Sequence, residues 1–176
     1  MKHPVAAIAV LALGLCIGPS ALAAKSDREQ PVNIEADRVI VDDRNKTHTF
    51  EGAVILTQGS LEIRGDKMVV TQGADGFQTG VATGSASRLA SFRQRRDGSD
   101  AFIEGEAERI EYDTRAERAR LFRQARVSSA GDVVTGDFIE YDALTEKYSA
   151  TNTSGGTGDS RVRATIQPRS SGEGTR

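Results

Sequence analysis

ADRVIVDDRNKTHTFEGAVILTQGSLEIRGDKMVV, residues 36–70, returns 71 positions later as AERIEYDTRAERARLFRQARVSSAGDVVTGDFIEY, residues 107–141. The alignment needs no gap. Ala36/Ala107, Arg38/Arg109, Asp42/Asp113, Gly65/Gly136 and Asp66/Asp137 are identical, and Asp37/Glu108, Val39/Ile110, Phe50/Leu121, Leu56/Val127, Ile63/Val134 and Met68/Ile139 keep their chemical type. A fixed-period echo of this kind marks a repeated supersecondary unit whose copies stack to bury a shared apolar face.

Inside the first copy the period is two. Val32, Ile34 and Ala36 alternate with Asn33 and Glu35, and Val39 and Val41 follow after a shift of face at Ala36-Asp37. Asp42-Asp43-Arg44-Asn45 is turn chemistry; Phe50, Val54 and Leu56 resume the alternation, Gln58-Gly59-Ser60 turns the chain, and Leu61 and Ile63 open the next strand. Gly65-Asp66 is expected as a bulge or corner before Met68 and Val70. Strands packed this densely leave no room for crossover helices and predict an antiparallel meander.

Residues 104–126, EGEAERIEYDTRAERARLFRQAR, favour a helix by composition alone. The repeat predicts strands instead, because Ile110/Tyr112 and Leu121/Ala125/Val127 keep the period-two positions of Val39/Val41 and Phe50/Val54/Leu56. Between the copies, Phe77–Phe92 reads as a weaker strand region with Val81 and Leu89 as its apolar points, and Arg93–Gly98 as a charged hairpin loop. After the second copy, Thr151–Ser160 is a flexible loop, Arg161–Gln167 is a last alternating strand, and residues 168–176 form a disordered tail.

The chain begins differently. Lys2 and His3, an apolar run over Pro4–Ile17 and the small residues of Ala21-Leu22-Ala23 predict a cleaved signal peptide over residues 1–23. Residues 24–31 follow as a polar leader and 32–167 as one β-domain. The apolar run is too short for a comfortable membrane span. The single cysteine, Cys16, falls inside the signal, and the bulky Leu15 before it argues against a lipoprotein site. The exported domain would stand without disulfides, which suggests a bacterial periplasm. With 25 acidic against 23 basic residues, no polyanionic partner is implied, nucleic acid included.

Catalytic chemistry finds little purchase. His48 is the one histidine outside the signal and reads as a surface or hairpin residue; Asp97-Gly98-Ser99-Asp100 is a turn with too few oxygen ligands for calcium; Glu104, Glu106 and Glu108 read as a solvated strand face. No cofactor and no metal are expected. Asn45-Lys46-Thr47 and Asn152-Thr153-Ser154 match a glycosylation triplet that carries no meaning in a bacterial protein. What remains is the apolar face, and period-two patterning fits both a filled sandwich core and two sheets held apart as a slot for acyl chains.

VNIEADRVIVDDRNKTHTFEGAVILTQGSLEIRGDKMVVTQ, with its Ala-Asp-x-Val start, Phe-x-Gly-x-Val-x-x-Thr-Gln-Gly centre and Gly-Asp-Lys close, resembles the OstA-like family of periplasmic lipopolysaccharide-transport proteins over about residues 30–167. The resemblance implies an all-β fold, a twisted antiparallel β-jellyroll that is V-shaped, open along one side and built from two related halves. It implies a non-enzymatic carrier that binds the lipid A part of lipopolysaccharide in an apolar groove and passes it from inner to outer membrane. The implied partners are an inner-membrane anchored component, an outer-membrane barrel component and further copies joined head to tail, with energy supplied by an ATP-driven extractor. On this basis the groove is expected to take Val32, Ile34, Phe50, Val54, Leu56, Ile63, Leu89, Ile110, Tyr112, Leu121, Val127 and Ile139. The joining edges are expected at Val32, Asn33, Ile34, Glu35 and Ala36 and at Arg161, Val162, Arg163, Ala164, Thr165 and Ile166. Arg126, standing where the first copy has Ile55, tests the register of the second half. A structural or adhesive β-sandwich with a filled core is the alternative, and a small hydrolase using Glu104 or Glu106 is a third reading.

Overall fold

The computed structural model describes residues 27, 29–74, 76–96, 98–152 and 161–168. The expected signal, the loop at 153–160 and the tail from 169 onward lie outside the described residues. In chain order the strands are β1 (Asn33–Glu35), β2 (Arg38–Asp42), β3 (Thr47–Gln58), β4 (Leu61–Gly73), β5 (Gly76–Thr83), β6 (Ala90–Arg95), β7 (Phe102–Ala107), β8 (Arg109–Asp113), β9 (Arg118–Ser129), β10 (Asp132–Asp142), β11 (Lys147–Thr151) and β12 (Arg163–Thr165). Residues 104–126 are strands and a turn, as the repeat required against their helical composition.

All pairings are antiparallel, and the four long strands change partners midway. β3 pairs β2 through Thr47–Glu51 and β1 through Ile55–Thr57. β4 pairs β6 through Glu62–Arg64, then β5 through Lys67–Gly73. β9 pairs β8 up to Phe122 and β7 from Arg126, and β10 pairs β12 through Val133–Thr135 and β11 through Phe138–Asp142. The result is two leaves, β1-β3-β4-β6-β7-β9-β10-β12 and β2-β3-β4-β5-β8-β9-β10-β11, which share their four long strands. The molecule is thus one twisted eight-row sheet folded along a crease, with hairpin turns lining the opposite, open side. That is a V-shaped β-jellyroll.

The crease is built from the repeat. In β3, Gly52 (φ 83°) and Ala53 (φ 43°) bulge opposite Asp66. Exactly one repeat later in β9, Arg123 (φ 60°) and Gln124 (φ 51°) bulge opposite Asp137. Two residues facing one bend the strand and let its continuation join the other leaf. The expected corner at Gly65-Asp66 therefore belongs to the partner strand: the extra residue sits in β3, and Gly65 is needed because a Cβ there would lie 3.0 Å from the carbonyl oxygen of Thr83.

Between the leaves lies a packed core. Val54, Leu56, Ile63, Met68, Phe92, Ile110, Leu121 and Ile139 are all below 2% exposed. The middle rows present small residues inward, Ala82, Ala90, Gly105, Ala107, Ala119 and Ala125, so the leaves approach closely there. Phe92 fills the space over Gly105, where a Cβ would come 2.1 Å from its Cε1. Full burial of a large aliphatic or aromatic side chain is worth roughly 1.5–3 kcal/mol, so this layer dominates the stability.

Two stretches between the copies depart from expectation. Leu89 does not face the interior: it ends the 84–89 connection, where a Ser85–Arg88 bridge closes a tight turn, and β6 enters the core in the opposite phase with Ala90 and Phe92. Val81 is outward because β5 turns Gly80 and Ala82 to the interior. Arg93–Arg95 continue strand β6 and place Gln94 inside, so the charged loop begins only at Arg96.

Candidate functional site

Toward the first row the leaves part. A cavity of about 690 Å³ opens between β1 and the start of β3 on one side and the ends of β4, β5 and β8 on the other. Val32, Ile34, Phe50, Val70 and Phe77 make its apolar wall; Gln58, Gln72, Gln78, His48, Thr114 and Arg115 make a polar rim. The polar groups are tied to the frame: Thr114 Oγ1 donates to the carbonyl oxygens of Phe77 at 2.9 Å and Gln78 at 3.0 Å, and Gln58 Nε2 donates to that of Gln30 at 3.1 Å. His48 stacks on Phe50 with ring centroids 6.5 Å apart. The arrangement suits an amphiphile, with a greasy interior and a hydrogen-bonding collar.

The N-terminal segment borders this cavity. Asp27 accepts the backbone N–H of Ser60 at 3.0 Å and the Ser60 hydroxyl, and that hydroxyl oxygen accepts the N–H of Arg95 at 3.1 Å. Part of the expected polar leader is thus fastened to the β3–β4 turn, and Gly59 is required there because a Cβ would collide with Asp27.

Of the expected groove residues, the structure brings Val32, Ile34 and Phe50 to the cavity wall. Val54, Leu56, Ile63, Ile110, Tyr112, Leu121, Val127 and Ile139 point between the leaves but lie inside the packed centre. Leu89 lies outside, near the crease, in a shallow surface hollow with Ala53, Ile55 and Arg64. Arg126 is exposed on the outer face between buried Ala125 and Val127, so the second-half register stands. Val70, Phe77, Thr114 and His48 were missed as cavity residues. His48 shares the parity of Phe50, and that was the available signal. Glu104 and Glu106 are exposed on the outer face, Glu104 paired with Arg93, and form no cleft.

The expected joining edges are the two end rows. β1 and β2 pair only β3, and β11 and β12 pair only β10, leaving their outer sides unpaired among the described residues. The same rows carry most of the exposed large apolar side chains: Val39, Ile40 and Val41 at one end, Tyr148, Val162 and Ile166 at the other. Ile166 is 78% exposed.

Comparison with known proteins then supplies an independent measure. The model of the family described as "LptA/(LptD N-terminal domain) LPS transport protein" matches residues 33–147. The chain is 31% identical to the lipopolysaccharide export system protein LptA of Escherichia coli K12 over 147 residues, 80% of this chain and 78% of that one. It is 30% identical to lipopolysaccharide export system protein LptH of Pseudomonas aeruginosa over 164 residues, 91% of this chain and 93% of that one. The crystal structure of Pseudomonas aeruginosa LptH, the LptA-homologous periplasmic component of a lipopolysaccharide transport device, superposes with a TM-score of 0.73 at 27% identity, covering 81% of this chain and 99% of that one.

Proposed function

The chain belongs to the LptA/(LptD N-terminal domain) family of LPS transport proteins, and from that premise we propose that it is a periplasmic carrier. It is exported with removal of residues 1–23, holds the lipid A acyl chains of lipopolysaccharide between its leaves without altering them chemically, and hands them on through head-to-tail contacts. The observation that carries this reading is the cavity bounded by Val32, Ile34 and Phe50, which opens beside β1, whose outer side is unpaired among the described residues, and so lies where a neighbouring copy would continue it.

The end rows support assembly. An unpaired edge normally invites aggregation and is blunted; here Val41 of the first row and Ile166 of the last are left bare, which suits pairing with another copy. First row meeting last row is a heterologous contact that extends rather than closes. The same edges would serve the inner-membrane and outer-membrane components at the two ends of the bridge.

The energetics favour partial enclosure. At about 0.8 kcal/mol per buried CH₂, several fully enclosed acyl chains would bind too tightly to move on. A cavity at one end with a filled centre holds only part of each chain, and onward passage requires the lips of the V to part. A passive sandwich module shares the filled centre, but does not account for a cavity with an apolar wall and a polar collar, or for the bare apolar side chains of the two end rows.

The test is a photocrosslinking scan, with a photoreactive amino acid at Ile34, Phe50 and, on the outer face, Arg126, in the presence of lipopolysaccharide. Adducts at Ile34 and Phe50 but not at Arg126 are expected. Equal labelling at all three, or none, contradicts the reading.

A further inference from the structure

Arg96 and Glu146 stand on opposite lips of the V. Arg96 opens the β6–β7 hairpin on one leaf; Glu146 closes the β10–β11 turn on the other. Arg96 Nε lies 3.4 Å from Glu146 Oε1, and its Nη2 makes a second, shorter contact to Oε2, a fork-on-fork pair across the opening. Behind it lies a cavity of about 190 Å³, between Ile103 and Ser129 on one leaf and Tyr141 and Tyr148 on the other.

We propose that the Arg96–Glu146 pair is a latch over the second half of the slot, which must open before an acyl chain lodged at the first-row cavity can advance toward the last row. The proposal rests on the lipid-carrying reading above. Three features suit a device that opens and closes. Both side chains are about one-third exposed, at 33% and 34%, so water reaches both groups and can solvate them when the pair parts. The turn that presents Glu146 is anchored at its first residue, where the Ala143 N–H donates to the Glu117 carbonyl oxygen at 2.9 Å, but its tip is held within the turn: Asp142 Oδ1 accepts the Thr145 N–H at 2.9 Å, and Glu146 itself sits at φ 52°. Gln94, two residues before Arg96, is 6% exposed with its Oε1 lacking a hydrogen-bond partner. A buried acceptor left unpaired is a cost of the closed state that hydration of an open lip removes.

The experiment uses the full mature chain, whose sequence has no cysteine beyond Cys16 of the expected signal. Arg96→Cys and Glu146→Cys together are joined by a short bismaleimide, and lipid A adducts are read from a photoreactive residue placed at Phe50 or at Tyr148. The stapled protein is expected to label at Phe50 like the unstapled one and to lose labelling at Tyr148 by tenfold or more. Glu146→Gln raises Tyr148 labelling several-fold, and the exchanged pair Arg96→Glu with Glu146→Arg brings it back. Equal labelling at Tyr148 with and without the staple overturns the latch while leaving the carrier intact. Labelling at neither position overturns the carrier reading itself.

Discussion

Glu108 grips Arg123. Its backbone N–H donates to the Arg123 carbonyl oxygen at 3.1 Å, and its carboxylate accepts from Arg123 Nε at 2.8 Å and from Gln124 Nε2 at 3.0 Å. Both bulge residues, held in a backbone region that side chains other than glycine rarely adopt, are thus clamped by the single residue between β7 and β8. One repeat earlier, Asp37 N–H donates to the Gly52 carbonyl oxygen at 3.2 Å. The crease is one device used twice. Glu108→Ala is expected to lower Tm and to raise amide exchange at Arg123–Ala125 more than at the β4–β5 turn; uniform exchange would contradict a local clamp.

Acid sensitivity follows from the same group. The hydrogen bond from Gln124, then that from Arg123, holds the Glu108 carboxyl below the usual range; Asn45 does so for Asp42, and the Thr145 N–H, then Arg118, for Asp142. Carboxyls depressed in the folded state stabilise above their unfolded value of about 4, and that contribution is lost as pH falls through the folded value. Tm should be level from pH 7 to about 5 and decline below about 4. A Tm unchanged down to about pH 3 would contradict it.

Gly105 exists for Phe92. Gly105→Ala forces the ring aside and is expected to cost about 1–3 kcal/mol, as overpacking does. Phe92→Leu in the same chain should recover part of the loss, seen as a favourable coupling in a double-mutant cycle by urea titration. Additive losses would mean that the ring and the glycine do not compete for space.

Core and cavity separate stability from binding. Leu56→Ala, at a site 0% exposed, is expected to cost about 2–5 kcal/mol, and Leu56→Asp to unfold the domain. Phe50→Ala, half-buried on the cavity wall, should cost less than Leu56→Ala in stability and weaken lipid A binding about tenfold, the loss of about 1.4 kcal/mol of apolar contact.

Assembly is addressed at the ends. Val41→Lys or Ile166→Lys puts a charge on an apolar end row without touching the core and should shift head-to-tail oligomers to monomers in analytical ultracentrifugation, with Tm unchanged. Oligomers that persist in the double variant would place the contact elsewhere.

Much of this was legible in the chain. The offset that matches Ala36 to Ala107 located both halves, and the matched pair Leu56/Val127 overruled the helical composition of residues 104–126. Three things were not. The bulge at Arg123-Gln124 carries no glycine to betray it, because its backbone is held by a tertiary contact from Glu108. Leu89 belongs to a turn whose length, set by the Ser85–Arg88 bridge, reverses the phase of the next strand. The filled centre depends on volumes meeting across leaves, Phe92 over Gly105, and alternation reports direction but never distance.

The central claim is that the space between the leaves holds acyl chains, and its most direct measurement is titration of the purified mature protein with lipid A, beside a Phe50→Asp variant verified as folded by circular dichroism. Saturable binding that the aspartate weakens by tenfold or more is the predicted result. Binding that is equal in both proteins, or absent from the folded wild type, would contradict it and leave a closed sandwich with a lipid-transport fold.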